Sequence, residues 1–219
     1  VQSPFGVRQK VVQSAWAKTR WGGWTLEFVS FTYKNAASCI FPVFIFLLLA
    51  VGKVTDLPIP RYDFLLLGCL AMQALMLFTR LETLDELKVI CVFHVLGLTM
   101  ELFKTHMGSW IYPEDAFTKL STVPLYSGFM YASVASFMCQ AWRRFELRLE
   151  HWPAAFLVVP LGALIYLNFF THHYIFDLRY FLIVSVFVLF FRTRVFFTTY
   201  QRERSMPLAR AFVLIGLFV

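Results

Sequence analysis

Histidine and carboxylate are the side chains in this chain that could move a proton or hold a metal, and they are not evenly scattered. His94 and Glu101 fall, with Gly97, at positions i, i+3 and i+7, so a helix through this stretch sets all three on one face. At 1.5 Å per residue Glu101 stands about 10 Å along the axis from His94. The residues just beyond form the densest polar run in the chain: Lys104, Thr105, His106, Gly108, Ser109, Trp110, Tyr112, Pro113, Glu114 and Asp115. A second group, Asn168, Thr171, His172, His173, Tyr174 and Asp177, closes a later apolar stretch.

Two chemistries fit these residue types. His106, His172, His173 and Asp177 supply imidazoles and a carboxylate suited to zinc or a similar divalent ion, with room for a water that the ion would acidify. Without a metal, Glu101 and His94 are candidates for general acid–base work. The structural alternative is that these groups cap helix ends and hydrogen-bond interfacial water. His151, beside Arg148 and Glu150, reads as a solvated loop residue.

The elements that must position these groups are apolar. Of 219 residues, 59% are apolar and only 15% charged, with 26 Phe, and mean hydropathy is +0.65; ordinary soluble domains carry about 25% charge. Such a composition argues against a soluble enzyme and against disorder. A helix that spans a bilayer needs about 20 mostly apolar residues. Stretches at 36–54, 62–80, 88–105, 120–142, 153–172 and 178–196 meet or approach this, and another begins near 208. The pattern predicts an all-α integral membrane protein, a polytopic bundle of seven or more transmembrane helices with the last one truncated. Residues 36–219 would form a single transmembrane domain. Residues 1–35, which hold Arg8, Lys10, Lys18, Arg20 and Lys34 beside Trp16, Trp21 and Trp24, would lie at the headgroup level.

Charge sets the orientation. Fifteen Lys and Arg fall in 1–35, 80–88, 142–152 and 192–210, against five (Lys53, Arg61, Lys104, Lys119, Arg179) on the opposite side. The N-terminus is therefore expected in the cytoplasm, with Glu101, His106, His172, His173 and Asp177 converging toward the outer face. The apolar run from Ala211 to Val219 reaches only about 13 Å, so the natural chain is expected to continue beyond it.

Other classes recede. The net charge of +7 is explained by topology, and no basic tract points to nucleic acid. Cys39, Cys69, Cys91 and Cys139 lie in apolar segments without a CxxC and read as packing residues. Gly128, Ala132 and Ser136, spaced by four, read as a close helix–helix contact. No Gly-rich phosphate loop, GxSxG or HExxH occurs. No lysine follows Lys119, which excludes a retinal Schiff base in a last helix.

Three longer motifs carry a resemblance: His94-Val-Leu-Gly-Leu-Thr-Met-Glu101-Leu-Phe-Lys-Thr-His106-Met-Gly-Ser-Trp110-Ile-Tyr-Pro113, Val123-Pro-Leu-Tyr-Ser-Gly-Phe-Met-Tyr131 and Asn168-Phe-Phe-Thr-His-His-Tyr174. In these the chain resembles a bacterial integral-membrane family known as domain of unknown function 817, from about residue 5 onward. The resemblance implies a multi-pass protein of the bacterial cytoplasmic (inner) membrane and no established activity. It also implies a further segment echoing Glu101 to Pro113, hence an internal duplication. A shorter likeness, through Glu101, Gly108, Trp110, Tyr112 and Val123-Pro124-Leu125, is to membrane carotenoid cyclases and hydratases. That likeness implies a carboxylic acid in an apolar pocket protonating a polyene; the histidines have no counterpart there.

Three functions are compatible with these features. One is a membrane enzyme acting on a lipid or isoprenoid, with Glu101 and His94 as acid–base groups and His106, His172, His173 and Asp177 as metal ligands. Another is a transporter or ion-binding protein using the same polar groups. The third is a non-catalytic subunit that packs against other membrane subunits.

Overall fold

The computed structural model describes residues 19–55, 58–200 and 202–211. The segments 1–18 and 212–219 lie outside the described residues, and with them most of the interfacial N-terminal stretch and the expected last helix. The helices are α1 (Arg20–Ser38), α2 (Ile40–Val54), α3 (Arg61–Phe78), α4 (Leu84–His106), α5 (Ser127–Arg144), α6 (Ala155–Thr171) and α7 (Arg179–Leu189). The strands are β1 (Lys119–Leu120), β2 (Val123–Pro124), β3 (Arg148–Glu150), β4 (Arg194–Thr198) and β5 (Glu203–Pro207).

The expectation of seven or more membrane crossings is not met. Among the described residues, α3 alone is long and apolar enough to cross a bilayer as one helix. Trp21–Ser38 and Ile40–Val54 meet the test only together, bent by 57° at their junction. The remaining apolar stretches form helices that do not meet this test. α6 has 17 residues, about 25 Å long. α7 has 11, and its chain turns after Phe190 into the antiparallel β4–β5 pair instead of continuing. α4 carries Lys88, Glu101 and Lys104 within its length. Hydropathy located the helices but not how far each one runs: α4 extends beyond 88–105, whereas α6 and α7 stop short of 153–172 and 178–196.

The chain forms two compact units, one of Tyr33–Arg144 and the other of the described residues before Tyr33 with those from Phe145 onward. In the Tyr33–Arg144 unit, α2, α3, α4 and α5 close around Phe41, Ile45, Cys69, Met72, Met76, Ile90, Phe129, Ala132 and Ala135. The predicted small-residue stripe faces inward, with Gly128, Ala132 and Ser136 all buried. Helix α4 opens with a reciprocal cap: Thr83 Oγ1 accepts from Glu86 N at 3.2 Å, and Glu86 Oε2 accepts from Thr83 N at 2.7 Å.

In the other unit β3, β4 and β5 form an antiparallel sheet in that order, with Leu149 opposite Val195 and Val195 opposite Met206. Helix α1 joins it through Ser30 Oγ, which donates to Thr199 O at 3.2 Å, and through Arg204 stacked over Trp24. Helix α6 buries no residue at all. Large apolar side chains stand exposed on both units, among them Phe46, Leu67, Phe78, Val95, Phe156, Leu167, Phe181 and Val188.

Candidate functional site

Glu101 points into the Tyr33–Arg144 unit and is 3% exposed. Its carboxylate accepts three hydrogen bonds, all from neutral aromatic donors. Trp110 Nε1 and Tyr112 OH reach Oε2 at 2.9 and 2.7 Å, and Tyr131 OH reaches Oε1 at 2.8 Å. Among the described residues no Lys, Arg or His forms an ion pair with it. A carboxylate offers about four acceptor positions, so this one is nearly saturated.

Local sequence accounts for each donor. Helix α4 ends in a Schellman turn: Gly108, at φ +69°, donates its N–H to Thr105 O, and Ser109 N donates to Lys104 O. That reversal carries Trp110 and Tyr112 back onto the carboxylate one turn upstream. Tyr131 comes from α5 and lies flat on Gly97, where a Cβ would stand 2.3 Å from its ring. Gly97 is thus the space through which Tyr131 reaches Glu101. Burial, followed by the Glu101 hydrogen bond, pushes the Tyr112 phenol well above its ordinary range, keeping it a proton donor.

The connection from 107 to 126 is fastened from below. Asp63, in the first turn of α3, accepts from Phe117 N and Thr118 N at 2.9 Å and from the Thr118 hydroxyl. Arg61 pairs with Glu114 at 2.7 Å, and Lys119 Nζ donates to Tyr112 O at 2.9 Å. Tyr62, Tyr112 and Tyr126 pack ring on ring beside the site, Tyr62 and Tyr126 stacked at 5.4 Å.

His94 shares the face of Glu101 but does not touch it. Its ring packs edge-on to Phe129 at 4.6 Å and against Gly128, where a Cβ would lie 2.8 Å from the imidazole. Its Nδ1 is buried with no hydrogen-bond partner.

The residues proposed as metal ligands lie in both units. His106 is exposed in the last turn of α4. His172 Nδ1 lies 3.0 Å from Asn168 O, and its ring rests on that of His173 at 3.9 Å between centroids. Asp177 holds the start of α7: its Oδ1 accepts from Arg179 N at 2.9 Å and from Asn168 Nδ2 at 3.3 Å, and Oδ2 pairs with Arg179. The Arg179 backbone N–H, with help from the Asn168 and Arg179 side chains, holds this exposed carboxyl below its usual range. Among the described residues no three His, Cys, Asp or Glu are grouped to hold a metal ion. His106 belongs to the unit of Glu101, and His172, His173 and Asp177 to the other unit.

Two buried carboxylates escaped sequence reasoning, Asp63 and Glu82. Both sit at the ends of apolar stretches, where a charge reads as a loop residue. The signal that could have found Asp63 is its place inside the apolar run 62–80. Trp110 and Tyr112 read as interfacial aromatics, and nothing in their spacing shows that the turn at Gly108 folds them back.

A mostly helical protein with two small antiparallel sheets and one carboxylate ringed by aromatic donors is the class that fold and site define. The chain belongs to the family described as "Protein of unknown function (DUF817)", whose model matches residues 27–219. It is 53% identical over 194 residues to "Uncharacterized protein YoaT" of Bacillus subtilis (strain 168), covering 88% of this chain and 74% of that protein. No solved structure matches it.

Proposed function

We propose that this is a membrane-embedded protein that handles a lipid-soluble substrate, lipid or isoprenoid, at the seam of α4 and α5, with Glu101 as the proton-exchanging group. Glu101 carries the reading: it is a buried carboxylate met by three neutral O–H and N–H donors and by no cation. Each donor is itself weakly acidic, so the cluster can take up or release a proton without breaking an ion pair. Tyr131, Tyr112 and Trp110 act as positioning residues for that carboxylate. Membrane embedding is supported by the many large apolar side chains exposed on both units.

The test uses the detergent-purified chain returned to vesicles of total bacterial lipid extract. Lipids are compared by mass spectrometry after incubation with the wild type and with Glu101→Gln. The reading expects at least one lipid species consumed by the wild type and untouched by the variant; identical profiles overturn it. A second reading, a subunit covered by a partner, is favoured by α6, which buries nothing within the chain. It expects a stoichiometric companion in native membranes solubilised in mild detergent.

A further inference from the structure

Glu82 is a buried carboxylate for which no ion pair is found among the described residues, and its surroundings are unfinished. It follows the end of α3 and is 2% exposed. Gln73 Nε2 donates to its Oε2 at 2.5 Å, and the Ser136 hydroxyl donates to its Oε1. Gln73 is 7% exposed, yet the Oε1 of the same amide has no partner. Gln140, one helical turn beyond Ser136 on α5, is fully buried, and its Nε2 has no partner either. Neither amide gains by flipping: Gln73 Nε2 is held by Glu82, and Gln140 Oε1 accepts from Arg144 at 3.0 Å.

The arginines at this end of α5 are engaged elsewhere. Arg143 donates to Leu81 O at 2.5 Å and faces Glu86 at 3.6 Å, and Arg144 is on Gln140. What results is one buried negative charge, an orphaned amide oxygen beside it and an orphaned amide N–H on the neighbouring turn. Leaving such buried groups unsatisfied is destabilising, and native interiors rarely gather two in one place.

We infer that Glu82, Gln73 and Ser136 form a binding site for one small monovalent cation of the sodium class. The ligand atoms are hard oxygens, which suit such an ion. A single carboxylate is balanced by a single positive charge, and a divalent ion would leave an excess in an apolar interior. Gln140 Nε2 would donate to a water retained by the ion. A groove of about 280 Å³ lies between α4 and α5, lined by Glu86, Phe93, Met138, Cys139, Trp142 and Arg143. This site is separate from Glu101 and does not depend on what Glu101 does.

The experiment is thermal unfolding of the purified chain in detergent while sodium replaces choline at constant ionic strength. The melting temperature rises and saturates with sodium, as expected for a ligand bound only by the folded state. Glu82→Gln abolishes the rise, Ser136→Ala shifts its midpoint by about tenfold or more, and Glu101→Gln leaves it in place. Should Glu82→Gln fail to fold, the wild-type series and Ser136→Ala decide alone. No difference among lithium, sodium, potassium and choline overturns the inference. So does stabilisation that follows pH regardless of the salt, which would assign the site to a proton.

Discussion

Glu101 gathers three side-chain donors on one buried carboxylate, and its energetics follow from what removal leaves behind. Glu101→Ala strands the donors of Tyr112 and Tyr131 inside the unit, while Trp110, about half exposed, can turn to water. The expected loss is about 3 kcal/mol, read by chemical unfolding in detergent. Tyr131→Phe removes one bond to a carboxylate and should lower stability by about 1.5 kcal/mol. Gly97→Ala drives a Cβ into the Tyr131 ring, so the pair Gly97→Ala with Tyr131→Phe should be less than additive. Tyr112 gives a pH signature. Because its phenol is raised in the folded state, its contribution is complete below the ordinary tyrosine value of about 10 and fades as pH climbs above it. Tyr112→Phe should flatten that alkaline decline; an unchanged slope would deny the phenol this role. Sequence alone singled out Glu101 because an acid seven residues from a histidine in an apolar helix is conspicuous. It missed Tyr131, thirty residues on, because only the bare surface at Gly97 brings that ring within reach.

At the scale of elements, the turn that ends α4 decides whether the site exists. Gly108 sits at φ +69° with nothing within 4 Å of where a Cβ would go, so Gly108→Ala meets backbone strain and no clash. The left-handed conformation costs an L-residue roughly 1–2 kcal/mol. A loss of about 1 kcal/mol is expected, with Trp110 fluorescence shifting as the indole leaves Glu101. Helix positions were legible from hydropathy: stretches read at 62–80, 88–105 and 153–172 became α3, α4 and α6. The break in the next run was not. The run 178–196 looks continuous, but Thr193 is fully buried with its hydroxyl on His151 O, and that anchor breaks the run after α7. Val195, Phe196, Phe197 and Thr198 then pair as a strand, a preference that an averaged hydropathy window erases. At the start of α7, Asp177 is engaged with the Arg179 backbone.

For the whole molecule the question is what covers its apolar exterior, and a charge placed on that exterior separates the answers. Leu164 in the middle of α6 and Val184 in the middle of α7 are about half exposed, and α6 buries no side chain. On a surface facing water, Leu164→Arg and Val184→Arg should change stability by less than about 0.5 kcal/mol. Facing lipid hydrocarbon, an arginine at the centre of a helix costs about 2.5–3.5 kcal/mol on insertion scales. Partner coverage would instead strand the charge in a protein interface, leaving membrane insertion intact while the companion is lost. Ser109→Arg, in the exposed turn after α4, serves as the comparison, since that position already lies among polar residues. The expected pattern is normal membrane recovery for Ser109→Arg and a several-fold drop in detergent-extractable, folded protein for both α6 and α7 variants. Equal recovery of all three from the aqueous fraction would remove the lipid environment on which the Glu101 reading depends.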